Sequence, residues 1–112
     1  MEHLVLFAKA PRLHEVKTRL LNVLTPRQAL DLHEAMLADQ LVFLRALRGP
    51  ERTCEACMDR AFDPSDAIDR AIADLAITRQ GEGDLGARMH RALLRAFDAG
   101  ARRALILGAD AP

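Results

Sequence analysis

The stretch LVLFAKAPRLHEVKTRL, residues 4–20, decides the fold. Its apolar run begins in HLVLFA, residues 3–8, and stops at Phe7-Ala8, where a Pro-containing loop takes over. A short apolar run ended this way reads as a buried strand. The loop carries Lys9, Arg12, Lys17 and Arg19 around Pro11. The question is what four cations do at the mouth of a buried strand.

Working outward, a long helix follows. Thr25 is a good N-cap, Pro26 fits the first helical position, and Gln28 completes a capping box. Leu30, Leu37, Leu41 and Leu44 recur at helical spacing, joined by Leu32, Met36, Phe43 and Leu47. This wide apolar arc suits a helix packed on a sheet, and Gly49-Pro50 stops it. RTCEACM, 52–58, is a weak second strand. In 63–75, Asp63 caps a second helix, Pro64 enters it and Asp66 suits its positive end. LAITRQ, 75–80, is a third strand and GEGD, 81–84, a turn. Asp84 caps a third helix carrying Leu85, Met89, Leu93 and Phe97, which Gly100 ends. ALIL, 104–107, is the last strand.

The order β-α-β-α-β-α-β predicts a parallel sheet with right-handed crossovers. Ligands of such sheets bind outside the carboxyl ends of the strands. The cationic loop, the Gly turn and Asp110 all fall at those ends.

Composition narrows the function. A chain of 112 residues fits one domain. Sixteen Lys and Arg balance sixteen Asp and Glu, which argues against bulk nucleic-acid binding. No apolar run approaches the roughly 20 residues of a membrane span. Glu2 and His3 stand where a secretion signal would carry basic residues, and there are only two cysteines. A cytoplasmic setting is therefore expected. Cys54 and Cys57 form a CxxC, but no second Cys or His pair completes a zinc site, so they read as structural thiols. In a strand they would point to opposite faces.

Lys17-Thr18 resembles the end of a phosphate loop, but Val16 replaces the glycine before the lysine, and the P-loop is rejected. Lys9, Lys17 and Arg19 still suit a phosphate near a helix start. The plainer reading is a solvated loop. Gln80, Gly81 and Gly83 precede a helix, where Gln can read a base edge or sugar hydroxyl and Gly lets a ligand near the backbone. The plainer reading is a turn with Asp84 as its cap. Asp110, just past the last strand, can hold Mg²⁺ or Mn²⁺ bridging phosphates, or simply turn the chain. Arg88, Arg91, Arg95 and Arg102 read as a solvated stripe, and His3, His14, His33 and His90 as surface residues.

Together FAKAP…VKTRL, QGEGDLGARM and LILGADAP resemble a small bacterial family of proposed glycosyltransferases with the glycosyltransferase-A fold. The resemblance covers essentially the whole chain. It implies a Rossmann-like parallel α/β sheet of four strands in the order 3-2-1-4, with helices on both faces. It also implies a transferase that binds a nucleotide or nucleotide-diphospho-sugar. Lys9, Lys17 and Arg19 would meet the phosphates, and Gln80, Gly81 and Gly83 would line the pocket. Asp110 would bind Mg²⁺ or Mn²⁺ together with the nucleotide. Family members run to about twice this length, so residues 1–112 correspond to the N-terminal, nucleotide-binding half. Leu13-His14 stand where the family carries Pro-Gly, and Asp110 lacks the second acid of a DxD pattern. The alternative function is a non-catalytic nucleotide-binding or interaction module without the acceptor half. With no later strands beside it, strand four is an exposed edge, and a homodimer through that strand is expected.

Overall fold

A computed structural model describes residues 1–63, 65–72 and 74–108, with the side chains of 66 and 67 outside that description. Four strands form one parallel sheet: β1 (Glu2–Ala8), β2 (Arg52–Met58), β3 (Ala76–Arg79) and β4 (Arg103–Gly108). The order is β3-β2-β1-β4. Three helices connect them: α1 (Pro26–Ala46), α2 (Asp66–Ala71) and α3 (Leu85–Asp98). No helix among the described residues is long and apolar enough to cross a membrane.

The register fixes what each face carries. Leu4 pairs with Cys54 and Leu105, and Val5 with Glu55 and Ile106. Neighbouring parallel strands keep partners on the same side. Even-numbered residues of β1 therefore meet α1 and α2, where Leu6, Ala8, Cys54, Ala56 and Met58 pack with Leu37, Leu41 and Leu44. Odd-numbered residues meet α3, where Val5, Phe7 and Cys57 pack with Ala92. The two free cysteines are buried in different clusters, on opposite faces as the strand reading required.

Local signals explain the helix starts. The Thr25 hydroxyl accepts from the Gln28 N–H, and the Gln28 side chain accepts from the Thr25 N–H. Asp84 caps α3 by accepting from the Ala87 N–H at 2.8 Å. The second helix differs from expectation: its cap is Ser65, whose hydroxyl accepts from the Ile68 N–H, not Asp63. Both residues can cap, and the chain starts the helix at the one from which Ile68 enters the core, fully buried. The α1 arc is also narrower than expected. Leu32, Met36 and Phe43 are exposed, and the inner stripe takes His33 instead. His33 was expected at the surface and is 3% exposed. One further turn, Thr18–Leu20, lies in the β1–α1 loop and had no sequence signal.

Candidate nucleotide site at the carboxyl edge

The loop after β1 is tied down at several points. His33 Nε2 donates to the Lys9 carbonyl at 2.9 Å. The Ala10 N–H donates to Asp59 Oδ1 at 2.7 Å, and Arg12 donates to the Ala61 carbonyl at 2.7 Å. Arg60 pairs with Glu15 at 2.7 Å. Val16, the residue that broke the phosphate-loop pattern, is 1% exposed and plugs the loop into the protein beside Lys17. Asp59 and His33 were missed in the sequence. The only signal for Asp59 was its place directly after β2, where a carboxylate can take the free amides of a neighbouring loop.

This bracing creates a cavity of about 110 Å³ lined by Lys9, Ala10, Arg12, Glu15, Asp59 and Arg60. Three cations face two acids there. An adjoining groove of about 550 Å³ runs past Leu13 to Phe62 and Asp63. Lys9 is exposed at the mouth of β1. Lys17 and Arg19 sit further along the loop, at the Thr18–Leu20 turn, and do not border the small cavity. The structure therefore places the three expected phosphate ligands on one loop without converging all of them on one cavity.

Two residues of this loop are in the left-handed region, His14 at φ 68° and Lys17 at φ 51°. Such conformations cost a side-chain-bearing residue free energy and cluster where a loop is held for a purpose. At φ 68° the His14 backbone holds a conformation that glycine adopts without this cost.

The loop after β3 reaches the same edge. Gln80 is buried, and its amide nitrogen donates to the Cys57 carbonyl at 3.0 Å and the Ala8 carbonyl at 3.4 Å. These carbonyls lie at the carboxyl ends of β2 and β1, so Gln80 reaches the residue that directly precedes Lys9. The Gln80 side chain is used to lock its loop across the sheet edge. Gly81 and Gly83 are exposed, with φ of 82° and 104°. Arg88 and Arg91 are not a solvated stripe, as expected from sequence, but hold this loop through its carbonyls.

Arg95 of the same stripe also turns inward. Its Nη2 donates to Glu55 Oε2 at 2.6 Å, and the Thr78 hydroxyl donates to the same oxygen. His3 Nε2 meets Glu55 Oε1 at 2.7 Å, and His3 Nδ1 meets Thr53 Oγ1 at 2.6 Å, so His3 is not a plain surface residue. Burial pushes the Glu55 carboxyl up, but hydrogen bonds from Thr78, His3 and Arg95, with the Arg95 charge, outweigh it and hold it below its ordinary value. Burial likewise pulls Arg95 down, but its interactions with Glu55, and after it Cys57, outweigh this and hold the guanidinium above its ordinary value. A cavity of about 280 Å³ adjoins the network. It lies at the amino end of the sheet, away from the candidate site.

Asp110 lies outside the described residues. Among the described residues no group of three or more His, Cys, Asp or Glu side chains comes together to hold a metal ion.

No curated protein matches this chain. A solved structure from Desulfovibrio desulfuricans G20, described as a "putative nucleotide-diphospho-sugar transferase", superposes with a TM-score of 0.79 at 28% sequence identity. The match covers 99% of this chain and 49% of that one, so this chain spans about half the length of that relative. Its fold is that of the N-terminal half of a nucleotide-diphospho-sugar transferase. A family model matches residues 40–112, and the chain belongs to that family, described as an uncharacterized protein conserved in bacteria (DUF2064).

Proposed function

We propose that this chain is the donor-holding part of a nucleotide-diphospho-sugar transferase. The observation that carries the reading is its superposition, over almost its whole length, on a protein so described. The braced cationic loop at the carboxyl edge of the sheet supports it, because that edge is where such folds place ligands. In sugar transfer an acceptor nucleophile forms a bond to the anomeric carbon and gives up its proton, while the bond from that carbon to the diphosphate oxygen breaks and its electron pair leaves with the diphosphate. Negative charge grows on those oxygens. Lys9, Lys17 and Arg19 are the groups proposed to stabilise it, with Gly81 and Gly83 giving the nucleotide close access to the backbone and Gln80 holding their loop.

The described residues alone do not build a metal site. Asp110 is a single carboxylate, proposed to take Mg²⁺ or Mn²⁺ only together with diphosphate oxygens. Calorimetry should show Mn²⁺ binding that requires nucleotide and vanishes in Asp110→Asn. Equal affinity in the variant removes Asp110 from the site.

The deciding experiment is titration with nucleoside diphosphates and nucleotide sugars. Binding that weakens in Lys17→Ala and at raised salt supports the reading. Wild-type titration curves for Lys17→Ala remove the loop from phosphate binding. Binding without turnover in the presence of Mn²⁺ assigns this chain the non-catalytic nucleotide-holding role.

The edge of β4 is proposed to meet a second copy of the chain. β4 ends the sheet, and Leu105 there is 55% exposed. Open strand edges recruit partners. A monomer by light scattering at micromolar concentration removes this contact.

A further inference from the structure

The loop from Gln80 to Gly83 is held from beneath by α3. Arg91 Nη1 donates to the Gln80 carbonyl at 2.5 Å, and its Nη2 to the Glu82 carbonyl at 2.9 Å. Arg88 Nε donates to the Gly83 carbonyl at 2.9 Å, and its Nη1 to Gln80 Oε1 at 3.3 Å. Three carbonyls of this short loop therefore point at helix guanidinium groups.

That orientation has a consequence for the opposite side of the loop. The peptide unit is planar, and in the trans form the N–H of the next residue points away from the C=O. No cis peptide bond occurs among the described residues. The N–H groups of Gly81, Gly83 and Asp84 therefore face away from the arginines, and all three residues are exposed.

Gly81 takes a second meaning from the same geometry. A Cβ on it would lie 2.5 Å from Arg91 Nη1. Glycine at 81 makes room for the guanidinium from inside, in addition to allowing a φ of 82°. Arg91 spans the carbonyls of residues 80 and 82 with its two terminal nitrogens, so it fixes the peptides between them. A planar fork can do this, and a lysine ammonium, a single point charge on a flexible stem, cannot hold both in the same way.

We propose that Arg91 is a positioning residue for the nucleotide: bound to the carbonyls of Gln80 and Glu82 beneath Gly81, it fixes the loop whose outer face lines the nucleotide pocket. It acts through the loop and does not touch the ligand. The inference rests on the nucleotide reading above and adds to it the residue that shapes one wall of the site.

The test uses the full chain and two independent readouts. Variants are Arg91→Ala, Arg91→Lys and Gly81→Ala, with Arg27→Ala as control. Arg27 is on the exposed face of α1, paired with Asp31. The first readout is amide hydrogen exchange at Gly81, Gly83 and Asp84 without ligand. The second is the Kd for ADP, GDP, CDP and UDP, measured well below each variant's melting temperature. Arg91→Ala is expected to speed exchange at those amides and to raise the Kd of the best-binding nucleotide about tenfold or more, the scale of a lost charge-assisted hydrogen bond. Methylguanidinium added to Arg91→Ala should recover part of the affinity, which a general loss of stability would not allow. Arg91→Lys should fall between Ala and wild type. Gly81→Ala, which leaves α3 intact, should also raise the Kd, both by crowding the guanidinium and by straining a backbone at φ 82°, and methylguanidinium should not recover it. This variant keeps the inference testable if Arg91→Ala fails to fold. Faster exchange with an unchanged Kd overturns the inference, because Arg91 would then hold the loop without serving a ligand. An equal Kd rise in Arg27→Ala also overturns it. If the wild-type chain binds none of the four nucleotides, the nucleotide reading itself falls. The exchange result then reports Arg91 as a fold contact only, and the positioning role falls with it.

Discussion

Beneath α1 and α2 the sheet presents Leu6, Ala56 and Met58 to Leu37, Leu41 and Leu44 in an apolar layer. Beneath α3 the same strands carry Val5, Phe7 and Cys57, but also Glu55, whose carboxylate is 5% exposed and takes hydrogen bonds from His3, Thr78 and Arg95. The first face is held by volume and contact, which any well-fitting apolar side chain supplies. The second depends on each polar group finding its partner, because an unsatisfied buried carboxylate is costly. The two faces should therefore fail differently, one on truncation and the other on loss of charge.

The largest expected effect tests the apolar face. Leu41 is 1% exposed, and Leu41→Ala should lose about 3 kcal/mol in urea unfolding, through lost transfer energy and the cavity left behind. Phe43 lies two residues away on α1 but is 62% exposed, and Phe43→Ala should stay within about 0.5 kcal/mol. Equal losses at both positions would break the assignment of the α1 inner stripe.

Next in size is the polar face. Glu55→Gln keeps the shape and removes the charge, and should lose about 1–3 kcal/mol at neutral pH. The pH dependence separates this from a packing defect. The folded Glu55 carboxyl sits below its ordinary value of 4.5, so it binds a proton less readily folded than unfolded. Its contribution is complete above the unfolded value and fades as pH falls through the lower folded one. The gap between wild type and Glu55→Gln should therefore narrow in acid, while the Leu41→Ala gap stays open. A Glu55→Gln gap that does not change with pH would show that charge plays no part in this face.

A smaller and opposite effect is expected in the loop that leaves β1 between the two faces. His14 holds φ 68° and its side chain is exposed. Glycine removes the left-handed penalty of about 1–2 kcal/mol but loses more freedom on folding, about 0.5–1 kcal/mol. His14→Gly should therefore gain a few tenths to about 1 kcal/mol. A loss in thermal unfolding would mean that the His14 side chain supplies a contact outweighing the strain. The smallest effect belongs to Arg27→Ala, which removes an exposed pair with Asp31 and should cost about 0.3–0.5 kcal/mol.

Much of the frame was legible in the chain. HLVLFA became β1, Thr25 with Gln28 became a capping box, and the alternation of strands with helices became a parallel sheet. The resemblance supplied the strand order. The arginines of α3 were misread for a physical reason. Spacing places Arg88, Arg91 and Arg95 on one side of a helix, but cannot say whether that side meets water or loop carbonyls and a buried carboxylate. The same limit hid His33, which stands on the apolar stripe of α1 and finds its partner 24 residues away at the Lys9 carbonyl.

The sequence by itself determined the order of strands and helices, the starts of α1 and α3, and which cations follow β1, because caps, periodicity and turn chemistry act over a few neighbouring residues. Only the tertiary structure decided the polar partners. Glu55 depends on His3, Thr78 and Arg95, residues 52, 23 and 40 positions away. Lys9 is steadied by His33 on α1, while its neighbour Ala10 is held by Asp59 after β2. Hydrogen bonds need atoms within about 3 Å and in line. Such placement between distant residues is set by how the helices pack on the sheet, and no local pattern encodes it.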